Sequence, residues 1–286
     1  MTTHHIEHET EFGKWRLTRA DPAPDLANFV HEYWEVEGAL SPFREALLPN
    51  GFVEIMANLG PSHRVLTGHG AGEWNDAWYS GLQERSIYIE SLRGTHLVSA
   101  RLHPLAAAAL FGASATTAAN SIVDLRHLAG DHAAVLRDTL RSAPDAESRF
   151  AILEATIRSW QARATDVPDF VREAATNIDA AHGNLRIADL HAPLGISRKH
   201  LAVTFARHMG ISPKRYANIR RFLWTLDRLR ESTDVSWTTL AADAGYSDQS
   251  HLVRDFRRIG AASPTEYLRR FDPDVTALLE PAGNDG

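Results

Sequence analysis

The side chains of this chain best suited to chemistry lie near its C-terminus, and the chemistry is recognition rather than bond-making. Residues 237–244 read as a helix, with the small Ala241 where a second helix would cross it. Gly245 follows four residues later, where a left-handed turn is expected, and Ser247 or Asp248 can cap a second helix. On that second helix Leu252 and Phe256, four apart, point inward. Gln249, Ser250, Val253 and Arg254 are left on the opposite face, the arrangement that lays a helix in a DNA major groove. A glutamine there can pair with adenine, and an arginine can reach guanine O6 and N7 together.

The unit is repeated. Leu201, Phe205, Ser212, Pro213 and Tyr216 stand 51 residues before Leu252, Phe256, Ser263, Pro264 and Tyr267, and His200 and Arg207 stand equally far before His251 and Arg258. Seven coincidences at one separation point to a duplicated recognition helix, each copy followed by a turn and a Ser-Pro that opens another helix. Between the copies Ile219, Phe222, Leu223, Leu226 and Leu229 form one apolar stripe of a helix that fixes the spacing of the two units.

On these residues the chain resembles the AraC/XylS family over residues 178–270. The family's second-unit pattern stands here as Leu240-Ala241, Gly245-Tyr246-Ser247-Asp248, His251-Leu252, Arg254, Phe256, Ser263-Pro264 and Tyr267. The resemblance implies an all-α domain with two helix-turn-helix units that bind double-stranded DNA. By the family's docking, the base-facing positions of the first unit fall on Lys199, Ala202 and Val203, two of which can meet only thymine methyls. That unit departs from the pattern at His191, where a small residue is usual, and at Pro193, which removes a helix hydrogen bond. Candidates for phosphate contacts are Arg198, Arg207, Lys214, Arg215, Arg220, Arg221, Arg257 and Arg258; such contacts position a protein without reading sequence.

The elements that must position these residues fall into an acidic part and a basic part. The net charge of −6 argues against nucleic acid, but residues 170–272 hold 16 Lys+Arg and 11 Asp+Glu, a balance of +5, and the remainder carries −11. Residues 1–25 read as a flexible leader. From residue 29 to 102, alternation in Val30, Trp34 and Val36, in Val53, Ile55 and Ala57, and in Leu97, Ser99 and Arg101 predicts antiparallel strands. Pro49-Asn50-Gly51, Gly60-Pro61-Ser62 and residues 68–72 supply turns. Helical composition begins after Pro104. The expected domains are residues 26–165, β-rich to about 103 and then helical, and residues 166–272, with a flexible tail over 273–286. The fold class is therefore α+β: an antiparallel barrel-like domain with trailing helices, then the double helix-turn-helix domain.

The N-terminal order of strands then helices also resembles the cupin-like sensor domains joined to AraC/XylS regulators. The segments Leu48-Pro49-Asn50-Gly51-Phe52-Val53-Glu54-Ile55, Ser80-Gly81-Leu82-Gln83 and Ala100-Arg101-Leu102-His103-Pro104 carry that likeness. It implies a small-molecule effector or dimerisation, and Trp34, Glu54, Asn58, Trp78 and Arg101 are the candidate effector contacts. An inward Glu54–Arg101 pair is as well read as a structural salt bridge.

Other classes fit less well. The related alkyl-transfer repair proteins need a cysteine acceptor, and this chain has none. It carries no nucleophile elbow, phosphate loop or metal-ligand cluster, so no catalytic residue, cofactor or metal is assigned. It also carries no apolar run long enough to span a membrane and no secretory signal, which fits a cytoplasmic protein. An architectural DNA binder with little sequence preference is the competing binding class. A homodimer, and RNA polymerase for an activator, are the further partners the reading allows.

Overall fold

The computed structural model of the chain describes residues 2–10, 13–91, 94–231, 236–270 and 277–281. Strands lead: β1 (Thr3–Thr10), β2 (Gly13–Ala20), β3 (Val30–Leu40), β4 (Phe43–Leu47), β5 (Val53–Asn58), β6 (His63–Val65), β7 (Gly72–Trp74), β8 (Ala77–Ser80), β9 (Ile87–Ser91) and β10 (Thr95–Leu102). Then come α1 (Pro104–Phe111), α2 (Ala113–Thr117), a short strand β11 (Ile122–Asp124), α3 (Arg126–Ala129), α4 (Asp131–Ala134), α5 (Leu136–Ser142) and α6 (Ala146–Gln161). The C-terminal part holds α7 (Asp169–Ala180), a 3-10 turn (Ile187–Asp189), α8 (Arg198–Met209), α9 (Pro213–Glu231), α10 (Trp237–Asp243), α11 (Gln249–Gly260), α12 (Pro264–Arg270) and a strand β12 (Ala277–Pro281). The class is α+β, with sheets first and helices after. No helix among the described residues is long and apolar enough to cross a membrane.

Two sheets of antiparallel neighbours face each other, in the orders β1-β2-β3-β10-β5-β8-β11 and β12-β4-β9-β6-β7; hydrogen bonds do not close them into one barrel. The larger sheet is covered on both faces, which is why β5 is buried along its whole length. One face carries Tyr33, Ile55, Ala57, Val98 and Ala100 against Phe150, Leu153 and Ile157 of α6. Burying side chains of this size contributes roughly 1.5–3 kcal/mol each. The other face turns Trp34, Val36, Met56, Trp78 and Leu97 toward Val65 and Ile89 of the smaller sheet. Period-two alternation thus separates a helix-facing set from a set facing the space between the sheets.

The sequence misleads in three places. The expected leader is a hairpin: β1 pairs with β2 from Thr3↔Ala20 to Thr10↔Gly13, and β2 continues onto β3. Its polar composition suits an outer strand, where Glu7 pairs with Arg16 and Glu9 with Lys14 across the hairpin. In the expected tail, residues 277–281 add a strand to β4, and the rest of 273–286 lies outside the described residues. The leading helix of the first helix-turn-helix unit is reduced to the 3-10 turn at Ile187–Asp189 followed by irregular turns, as the proline at 193 requires.

The C-terminal helices share two of the three apolar cores with the N-terminal part. One runs unbroken from the α6 side chains through Val167, Val171 and Ile178 to Leu201, Phe205 and Tyr216. The other gathers Phe222, Leu226, Leu252 and Phe256 around Ala46 and Leu48, which come from β4 and the residue just after it. The expected division between residues 165 and 166 lies in the connection between α6 and α7, which the first of these cores crosses.

Candidate nucleic-acid interface and ligand cavity

The second unit is built by local signals. Ser236 caps α10, its Oγ accepting from Thr239 N at 3.4 Å. The chain then reverses at Gly245, whose φ is +73°. Asp248 caps α11, its Oδ1 accepting from His251 N at 2.7 Å, so of the two candidates the aspartate does the capping. Leu252 and Phe256 are buried, and the Phe256 ring lies 5.0 Å from that of Phe222 on α9. This leaves Gln249, Ser250 and Arg254 exposed and Val253 half-buried on one side of α11.

The first unit repeats the construction. Ser197 caps α8 by accepting from His200 N at 3.1 Å, and Leu201 and Phe205 point into the core. The two recognition helices, Arg198–Met209 and Gln249–Gly260, have 12 residues each and start 51 apart, the separation of the sequence repeat. Lys199 and Ala202 are exposed, and Val203 is 60% exposed, an apolar side chain left in water.

The basic side chains divide sharply. Arg198, Arg207, Lys214 and Arg257 are exposed, as phosphate contacts must be. Arg258 is exposed beside Asp255 at 2.9 Å, and Arg215 reaches Glu84 of the N-terminal part at 3.1 Å. Two expected phosphate contacts are corrected. Arg220 is bound to Asp179 at 2.8 Å, on the side of α9 that packs toward α7. Arg221 is 7% exposed; it donates to the Gly245 carbonyl at 3.2 Å and lies 5.0 Å from the centre of the Tyr246 ring. It braces the turn of the second unit from within. Helical period alone could not separate these two from their exposed neighbours, because α9 is covered on several sides.

Between the two sheets lies a cavity of about 240 Å³. Trp34, Glu54, Trp78 and Arg101 line it, and so do Trp15, Glu32, Glu45, His63 and Trp74, which sequence reasoning did not select. Strand register builds its charged centre. Arg101 on β10 stands opposite Glu32 on β3 and Glu54 on β5. Its Nε donates to Glu54 Oε1 at 2.7 Å, and its Nη1 donates to Glu32. Desolvation works against the Arg101 cation, but the two carboxylates outweigh it and hold it more firmly protonated. Burial pulls His63 down to about 4, so its ring is neutral at pH 7, within reach of Ser91 and Thr95 hydroxyls. Asn58 is corrected: it is fully buried, donating to the carbonyls of Pro61 and Trp74 at 2.7 and 3.0 Å and accepting from Gly60 N. It clamps a loop and does not line the cavity. Outside the cavity, Glu35, Glu37 and His96 come close enough to hold a cation, but Glu35 already accepts from Arg149 at 2.7 Å and from His96 at 3.0 Å.

Residues 190–270 match a family described as a helix-turn-helix domain, and residues 18–124 match a domain of unknown function, DUF6597. Over 58 residues the chain is 40% identical to the HTH-type transcriptional activator RhaS of Pectobacterium carotovorum subsp. carotovorum, 20% of each chain. Over 137 residues it is 31% identical to a protein of Streptomyces antibioticus named as an AraC-like transcription regulator, covering 47% of this chain and 41% of that one. The C-terminal part of the chain is a helix-turn-helix domain, similar in sequence to regulators of the AraC type. The chain spans well under two thirds of the length of these curated relatives. The solved structure of ToxT from Vibrio cholerae aligns with a TM-score of 0.47 at 12% identity, covering 89% of this chain and 97% of that one.

The cavity wall and the helices of the helix-turn-helix domain meet. Leu48, Pro49, Asn50 and Phe52 line the cavity, while a Cβ placed on Gly51 between them would come within 2.9 Å of Leu223 and 3.2 Å of Arg220 on α9. Ser80, Gly81 and Gln83 line it from the other side. The next residues run onto the helices: Glu84 accepts from Arg215, and Ser86 donates from N and Oγ to the Ile259 carbonyl at 2.8 and 3.0 Å.

Proposed function

We propose that this chain is a sequence-specific, DNA-binding transcriptional regulator whose DNA affinity is set by a small molecule in the cavity between the sheets. The observation that carries the reading is the pair of capped twelve-residue helices at one fixed separation, each with one face left outward on a basic domain. Duplication at fixed spacing suits two successive major-groove segments on one face of a duplex. Gln249, Ser250, Val253 and Arg254 read bases, Lys199, Ala202 and Val203 make the weaker first-unit contact, and Arg198, Arg207, Lys214, Arg215, Arg257 and Arg258 hold phosphates. Trp34, Glu54, Trp78 and Arg101 contact the effector.

Control follows from the two loops that line the cavity on one side and touch α9 and α11 on the other. A ligand that repositions residues 48–52 or 80–86 acts directly on the seating of the recognition helices, and it shifts DNA affinity only by its preference between the two arrangements. The protein works in the cytoplasm without catalysis, as a homodimer, and an activator of this kind contacts RNA polymerase. Selection of bound sites from a random DNA library tests the reading. A defined operator bound at least about 10³-fold more tightly than bulk DNA at fixed salt supports it. A ratio near unity would leave an architectural binder.

A further inference from the structure

The cavity's ionisable side chains account for one another with one exception, and among its neutral polar groups the Trp34 Nε1 donor is left without an acceptor. Arg101 is bound by Glu54 and Glu32, Arg19 reaches Glu32 at 4.0 Å, Asn50 donates to Glu54, Gln83 reaches Ser80, and His63 is held by Ser91 and Thr95. Glu45 on β4 also lines the cavity, and its carboxylate has no hydrogen-bond or ion-pair partner among the described residues. Its cross-strand neighbours are Ile89 on β9 and Leu279 on β12, and Phe43 and Leu47 stand two residues away on the same strand face. The neighbouring arginine, Arg44, points the other way, onto Glu90 at 2.9 Å.

A carboxylate in such surroundings is costly without a counter-charge. Four of the chain's seven tryptophans, Trp15, Trp34, Trp74 and Trp78, line the same space, and their ring faces attract cations. Apolar walls, aromatic faces and one uncompensated negative charge are complementary to one kind of molecule. Resting on the effector reading above, we infer that the cavity takes a hydrophobic organic cation, an amine or quaternary ammonium whose charge is met by Glu45 and whose apolar body lies among the tryptophans.

Protonation adds a signature. Burial raises Glu45 to about 7, so near neutral pH the empty cavity holds a carboxyl that is partly protonated. The other titratable or charged groups facing the cavity are Arg19 on β2, Glu32 on β3, Glu54 on β5, His63 on β6 and Arg101 on β10. The carboxylates among them are neutralised by their arginines, and His63 titrates about three units lower than Glu45, near 4. A bound cation therefore favours loss of the Glu45 proton, and affinity rises with pH through about 7.

The test uses the full chain and three probes of similar shape: benzyltrimethylammonium, its neutral carbon isostere neopentylbenzene, and the anion 3-phenylpropionate. Calorimetry and tryptophan fluorescence at pH 8 should give the cation an advantage of about tenfold or more over the isostere. The advantage should shrink below pH 6. Glu45→Gln should abolish it, leave the isostere's affinity unchanged and raise the melting temperature of the empty protein; Glu45→Asp, which keeps the charge, should retain cation binding. Failure of the cation to bind, equal binding of the isostere or anion, or cation binding indifferent to Glu45→Gln overturns the ligand class. DNA affinity measured with each probe separates the two readings. If the anion or isostere binds and shifts DNA affinity, effector control stands and the cation falls. If the cation binds through Glu45 and DNA affinity does not move, the cation stands and effector control falls.

Discussion

Replacing Gly245 by alanine should damage the second unit mainly through the backbone. The φ of +73° lies in the left-handed region, where an L side chain costs roughly 1–2 kcal/mol. The new Cβ would also fall 2.0 Å from Asn184 Oδ1 and 2.4 Å from its Cγ. Asn184 is exposed, and its hydrogen bond to the Asp243 carbonyl is long at 3.5 Å, so the side chain can rotate away for roughly 0.5–1 kcal/mol. The total is then roughly 1.5–3 kcal/mol, with the backbone share larger. Urea unfolding of wild type, Gly245→Ala, Asn184→Ala and the double variant forms a cycle that isolates the steric part. The loss from Gly245→Ala should persist, at more than half its size, in the Asn184→Ala background. DNA affinity should fall with it, because the turn sets the angle of α11 and its carbonyl anchors Arg221. Full recovery in the double variant would place the cost in the contact, and a loss below about 0.5 kcal/mol would mean the turn is not held as described.

Arg254→Ala should cost about 1–3 kcal/mol on a selected operator and relax preference at one base position, whereas Lys199→Ala should weaken sites more evenly; matched and mismatched sites at one ionic strength separate the two outcomes. Arg257→Ala should lower the slope of log affinity against log salt by about 0.9, while Arg220→Ala, which breaks the ion pair with Asp179, should leave that slope unchanged; an equal drop for both would return Arg220 to the phosphate contacts. Glu45→Gln should stabilise the empty protein in a pH-dependent way. The folded-state value of Glu45 is raised from 4.5 to about 7, so its penalty is absent below 4.5, grows between the two values and is complete above 7. Its ceiling is roughly 3 kcal/mol. Thermal melts at pH 5 and pH 8 check the sign: a gain larger at pH 5 than at pH 8 is incompatible with an unpaired carboxyl half-buried in the cavity wall.

The sequence alone determined whatever depends on neighbours within a few turns of chain. A cap at Ser247 or Asp248 marks the start of α11 because a cap needs only the next three residues, and the Ser-Pro pairs at 212 and 263 open helices at the repeat distance. The inward set on α11 follows from helical period, and Glu54 and Arg101 follow from strand alternation. Tertiary structure decided what depends on partners far along the chain. Arg101 lies between Glu54 and Glu32 because strands 47 and 69 residues away pair in one register, and a shift of one residue would turn each side chain to the opposite face. Arg220 is drawn onto Asp179 and Arg221 leaves the surface because α9 meets Asp179 on one side and the Gly245 turn on another. Asn58 is buried by a loop that folds over it, and the polar leader becomes a hairpin because β3 offers it an open edge. Glu45 gives no local sign of its position, since a glutamate between an arginine and an alanine reads as surface. Only the facing of two sheets encloses it, and that enclosure is what makes its missing partner a chemical requirement.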